Sequence, residues 1–163
     1  PPAALVDRRV GAWRRSQGDL PTVYRALIEG PEAWSTTARK FKTPDDFLVS
    51  ALRALDMPPT ESPRMSMGLL ARMGQPPFTP RSPAGFADDT AQWSGPDALW
   101  KRVQAATSIA DAAPAERADP LGVAQEIFAG SLDSETMIAL RRAESPRDGL
   151  ALLIASPAFQ WRT

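Results

Sequence analysis

Residues 43–55 read TPDDFLVSALRAL, and the fold class turns on how this stretch is parsed. Thr43 offers a hydroxyl that accepts from the free N–H groups of a first helical turn. Pro44 stands where a missing N–H costs nothing and a preset φ helps. Asp46, three residues past Thr43, makes a capping box in which Asp replaces the usual Glu. Phe47, Leu48, Ala51, Leu52 and Leu55 then recur at helical spacing, which predicts a helix from Pro44 to about Asp56 that Pro58 and Pro59 end.

The same grammar runs outward in both directions. Seventeen prolines would suggest disorder if they were scattered, yet many follow Ser, Thr, Asp or Gly just ahead of an apolar stripe. Ser62-Pro63, Asp119-Pro120 and Ser145-Pro146 repeat the signal, and Asp148 stands to Ser145 as Asp46 does to Thr43. Leu20, Val23, Tyr24, Leu27 and Ile28 form the clearest stripe, stopped by Gly30-Pro31. Met65, Leu69, Leu70 and Met73 form another, closed by Gly74 as a C-cap. Further helices are expected at residues 3–15, 96–111, 120–129, 134–143 and 146–155, and no run alternates as a half-buried strand would. The expected fold is a single all-α domain over residues 1–163, an irregular or orthogonal bundle of seven or eight helices with one long proline-rich loop.

Composition narrows the chemistry. The 163 residues, 43% of them hydrophobic, are enough for one domain with a real core. Lys plus Arg (19) equals Asp plus Glu (19), so no bulk field recruits nucleic acid or an anionic membrane. No stretch approaches the roughly 20 apolar residues of a membrane span. Cys and His are both absent, which removes disulfides, thiolate chemistry, Cys/His zinc sites and Ser-His-Asp triads. Carboxylates, an activated Lys, Ser or Thr, and the single Tyr24 remain. The chain opens abruptly on Pro1-Pro2, as a piece cut from a longer protein would.

One segment refuses helix. Residues 74–93 read GQPPFTPRSPAGFADDTAQW, a long connection for a compact domain. Phe78, Phe86 and Trp93 argue against a disordered linker. They are expected as buried pegs of a rigid strap, the ordinary way to fix a long loop. The other reading is a binding segment, in which Gln75, Arg81, Asp88 and Asp89 supply polar groups and Phe78, Phe86 and Trp93 stack on a sugar or peptide. Asp88-Asp89 and Asp45-Asp46 are the obvious acid pairs, and a pair falls far short of the roughly 6–8 oxygens Ca²⁺ prefers. Asp45 and Asp46 fit a helix's first turn instead, so no metal and no cofactor is expected. Arg8, Arg9, Arg14 and Arg15 make a basic first helix beside Val6, Val10 and Trp13, read as a solvated face with stems over the core. Arg39, Lys40 and Lys42 form a second basic cluster. Trp34, Trp100 and Trp161 are expected to pack, and Met65, Met67 and Met73 to fill the core.

These segments also resemble a large bacterial family known as domain of unknown function eighteen hundred, in its C-terminal part. The resemblance is carried by Lys40-Phe41-Lys42-Thr43-Pro44 with Leu52-Arg53-Ala54-Leu55, by Met73 to Phe78 followed by Pro83-Ala84-Gly85-Phe86 and Trp93, and by Ser156 to Arg162. The family more often has Trp where this chain has Phe86. Its upstream half, with His and an acidic stretch, has no counterpart here. The resemblance implies an exported protein encoded near an exported partner, and no accepted reaction. Residues and resemblance together predict a helical interaction or scaffold domain, not catalytic by itself, packing on an upstream domain or a genomic-neighbour protein. The alternative is one wall of a hydrolase or carbohydrate site whose catalytic groups lie upstream.

Overall fold

The structure, a computed structural model, describes residues 1–34, 39–58 and 63–162. The chain divides into two compact units, residues 1–39 and 40–162. The first unit holds α1 (Ala3–Arg15) and α2 (Leu20–Ile28), followed by a short 3-10 turn at Pro31–Trp34. The second runs β1 (Lys40–Phe41), α3 (Pro44–Ala54), α4 (Pro63–Arg72), α5 (Thr90–Trp93), α6 (Pro96–Asp111), α7 (Pro120–Phe128), α8 (Ser134–Arg141), α9 (Pro146–Ala155), α10 (Pro157–Gln160) and β2 (Trp161–Arg162). With eight helices of seven residues or more and one two-residue strand pair among the described residues, the chain is all-α as expected.

The cap-proline grammar is present atom by atom. Thr43 Oγ1 accepts from Asp46 N and the Asp46 carboxylate accepts from Thr43 N, a complete capping box. Asp119 accepts from Leu121 N at 3.1 Å, and Ser145 Oγ accepts from Asp148 N at 3.1 Å. Ser62, expected to cap α4, lies outside the described residues. One start went unread: Ser156-Pro157 opens the short α10, with Ser156 Oγ accepting from Phe159 N.

In the second unit α6 and α9 form the central pair. Ala105, Ala106, Ile109 and Ala110 make the buried face of α6, and its three alanines leave room for the larger Leu150, Leu153 and Ile154 of α9. Phe47, Leu48, Ala51, Leu52 and Leu55, the stripe of residues 43–55, are all buried in the same core, with Leu69, Leu70 and Met73 of the α4 region. Met67, expected as core, is half exposed instead. Gly149 is required by close approach, because a Cβ there would sit 2.6 Å from Pro120 Cγ at the start of α7.

The first unit is an αα-hairpin. A four-residue connection turns the chain back so that Leu5 near the start of α1 meets Gly30 beyond the end of α2. Among its described residues Leu5, Ala12, Val23 and Gly30 are buried. The stripe on α2 was expected to face a core, and Val6, Val10 and Trp13 of α1 to line one. The structure corrects both: Val6, Val10 and Trp13 are exposed, as are Leu20, Tyr24 (54%) and Ile28. On each helix the exposed stripe lies about 110° past the buried residues in the same rotational sense, at 100° per residue. Since the helices run antiparallel, both stripes fall on one side of the hairpin. Trp34, expected to pack, is 69% exposed and only its indole N–H is engaged, donating to Ile28 O at 2.7 Å.

Two residues on the same helix separate core from surface. Leu150→Ala, at a site with 0% exposure, is expected to cost about 2–5 kcal/mol. Leu152→Ala, at 43% exposure, is expected to stay within about 0.5 kcal/mol. Urea unfolding of the two variants measures the difference.

Candidate functional site

The largest fully buried side chain is a cation. Arg102, 2% exposed, continues the buried stripe of α6 one step toward its N-terminus. Its Nη1 donates to Gln160 Oε1 at 3.1 Å and its Nη2 to the Lys42 carbonyl at 2.6 Å. Its guanidinium carbon lies 4.7 Å from the ring centre of Phe41 and 5.2 Å from that of Phe47. Burial pulls its pKa down to about 10, against the pull of the Asp46 charge, so it stays charged at neutral pH. Gln160 is engaged at three points: besides accepting from Arg102 at Oε1, it donates from Nε2 to Ile154 O at 3.1 Å, and its backbone carbonyl accepts from Lys42 N at 2.8 Å.

Around this centre the ends of the second unit pair as antiparallel strands, Lys40 opposite Arg162 and Phe41 opposite Trp161. Phe41 and Trp161 meet edge to face at 5.1 Å, and Phe47 and Phe159 do so at 5.9 Å. Asp46 also forms an ion pair with Arg162. Burial would raise the Asp46 pKa, but hydrogen bonds from Arg162 and Thr43 hold it below the ordinary carboxylate value. Lys42, read in the sequence as part of an exposed basic cluster, lies with its Nζ 3.9 Å from the ring centre of Phe159. Burial is the main reason its pKa falls to about 8; Asp46 opposes the shift, and Arg102 and Arg162 add to it.

The proline-rich loop follows this cluster in a different role. Gln75 Oε1 accepts from Asp45 N at 2.9 Å, tying the loop to the first turn of α3. Asp88 pairs with Lys40, and Asp89 caps α5 by accepting from Gln92 N at 3.0 Å. Trp93 is buried as expected of a peg, its indole N–H donating to Ala87 O at 2.9 Å. Phe86 is half-buried. Phe78 is no peg at all: it is 99% exposed, at a φ of 60° that non-glycine residues rarely adopt. Trp100, also expected to pack, is 62% exposed.

Between the loop and the start of α6 lies a cleft of about 480 Å³. Of the loop residues singled out from sequence, Arg81, Phe86 and Trp93 line it, while Gln75, Phe78, Asp88 and Asp89 do not. Thr79, Gln92, Asp97 and Lys101 join them, with Lys101 Nζ and Asp97 paired at 2.6 Å. Among the described residues no group of three or more acidic side chains converges as a metal site. No described helix is long and apolar enough to cross a membrane.

A family model described as Protein of unknown function (DUF1800) matches residues 1–161. The chain belongs to that family. No curated protein and no solved structure matches it. In this DUF1800 member the opening and closing stretches that carry the resemblance, Lys40–Pro44 and Ser156–Arg162, are the two that meet over Arg102. Arg102 itself went unread in the sequence. The signal was there, because Arg102, Ala105, Ala106, Ile109 and Ala110 stand at i, i+3, i+4, i+7 and i+8, placing an arginine on the core face.

Arg102→Lys is expected to lose about 2–3 kcal/mol in urea unfolding, since a shorter side chain ending in a single nitrogen cannot reach both acceptors that Nη1 and Nη2 meet separately, and it lacks the planar group that lies against the two rings. Lys42 makes one contribution to the pH dependence of stability on the alkaline side. With its pKa lowered from 10.5 to about 8, the folded protein binds fewer protons there than the unfolded chain in that window. Stability through Lys42 therefore rises as pH climbs from 8 to 10.5. Lys42→Met is expected to flatten that rise; equal pH slopes of the urea midpoint in both proteins would refute it.

Proposed function

We propose that this DUF1800 chain is a helical interaction domain, not a catalyst in its own right, that docks through its N-terminal hairpin onto an upstream domain or a separate protein. The observation that carries this reading is the uncovered apolar face formed by Val6, Val10 and Trp13 of α1 with Leu20, Tyr24 and Ile28 of α2. An apolar face of contiguous large side chains is uncommon on a free monomer and marks an interaction site. Arg14 borders the outer edge of the α1 stripe and Arg9 stands on its side toward α2, so the matching surface is apolar with acidic groups placed to meet both. The family resemblance supplies a partner to test, an exported protein encoded nearby.

A second reading is that the cleft beside the proline-rich loop forms one wall of a carbohydrate site. Its support is the convergence of Arg81, Gln92 and Asp97 with the Phe86 ring around one concavity.

Val10→Asp and Tyr24→Asp are each expected to weaken association at least about tenfold while leaving the far-ultraviolet circular dichroism unchanged. Titration calorimetry against the neighbour-encoded protein measures association in trans. Hydrogen exchange of α1 and α2 in the full-length protein measures it in cis. If both variants bind as the parent does, and the hairpin exchanges freely in the full-length protein, the docking role is wrong.

A further inference from the structure

The cleft between the proline-rich loop and α6 carries information about its ligand's charge as well as its shape. We propose that it binds a short oligosaccharide bearing a carboxylate, a uronic-acid sugar being the simplest case. This rests on the carbohydrate reading of the cleft and adds the sign of the ligand.

The volume of about 480 Å³ falls in the range of roughly 300–1,000 Å³ typical of small-ligand sites, and suits about two or three sugar rings. The polar groups are of the kinds that neighbouring hydroxyls need. The Gln92 amide both donates and accepts, and Asp97 accepts. Thr79 Oγ1 donates to Pro76 O at 3.2 Å, which leaves its oxygen free to accept from a ligand. Phe86, half-buried in the wall, offers flat apolar surface to the C–H face of a sugar ring.

The charge follows from which cations are already occupied. Lys101 is held by Asp97. Arg81 is exposed and forms no ion pair among the described residues. Asp88 pairs with Lys40 and Asp89 caps α5, so neither acid of the loop is spent on Arg81. Arg81 and Lys101 against Asp97 leave the cleft one positive charge. An unoccupied guanidinium presents paired N–H donors whose geometry matches a carboxylate, which gives an acidic sugar an interaction that its neutral counterpart lacks.

The test is titration calorimetry of the purified protein with a trisaccharide of galacturonic acid and with the neutral galactose trisaccharide of the same linkage. The acidic sugar is expected to bind at least about tenfold more tightly, with an advantage that shrinks as salt rises. Arg81→Gln should abolish that advantage and leave the neutral sugar's affinity in place. Phe86→Ala should weaken both sugars. Arg81 is a surface residue, so its variant is expected to keep the parent's urea midpoint. Equal binding of the two sugars by the parent would overturn the charge selection while leaving a carbohydrate cleft standing. Binding of neither sugar would overturn both. An acidic preference that survives Arg81→Gln would show that Arg81 does not hold the carboxylate and overturn the proposal.

Discussion

A buried guanidinium organises the larger unit. Removing an arginine from water is costly, and the cost is tolerated only where acceptors stand fixed around it. Arg102 meets that condition with acceptors drawn from opposite ends of the unit, the Lys42 carbonyl before α3 and the Gln160 amide at the end of α10. The phenyl rings of Phe41 and Phe47 cover its faces. Satisfying this one charge therefore requires β1 and β2 to lie side by side, which in turn sets Asp46 against Arg162 and Lys42 over Phe159. The strand pair has only two residues on each side, too little to stand by its own hydrogen bonds. It is held by what it covers.

The proline-rich loop leads from the α3–α4 layer to α6, and it is fixed by polar anchors as much as by buried rings. Gln75, Asp88, Asp89 and the Trp93 indole are each committed to a protein partner. The strap reading thus holds for these anchors, and the proposed binding role concerns the side chains that they leave uncommitted. Fixing some of its side chains is what presents others, Arg81 and Phe86 in the cleft wall and Phe78 to solvent. Under the binding reading proposed above, a wall fixed in this way would lose little conformational entropy on taking up a ligand.

The two units invest their apolar residues differently. In residues 40–162 the stripes of α3, α6 and α9 meet in one core. In residues 1–39 two short helices can bury only the strip along which they touch, and the wider arc that the sequence makes apolar stays in water. Two helices by themselves make no third layer, so the stripe that they do not bury against each other is left as the apolar surface on which the proposed docking rests.

Most of the helices were legible from the chain alone, because their signals are local. A cap residue, a proline at the first helical position and a 3.6-residue apolar period act within a dozen residues, and Thr43–Leu55 folds as its spelling says. The loop was legible as an exception to that grammar, but not which of its seven candidate side chains would share a concavity: Arg81, Phe86 and Trp93 do, and Gln75, Phe78, Asp88 and Asp89 do not. Which face of a stripe finds a partner was not legible. Leu20, Tyr24 and Ile28 have the same period as Phe47, Ala51 and Leu55, yet the first set is exposed and the second buried. The strand pair and the Arg102 cluster were equally hidden, since they join residues about 60 and about 120 positions apart whose pairing has no local period. Sequence by itself determined where helices begin, end and turn apolar. Tertiary structure alone decided which of those faces meet and where a lone charge is enclosed, because burial is a property of what arrives from elsewhere in the chain.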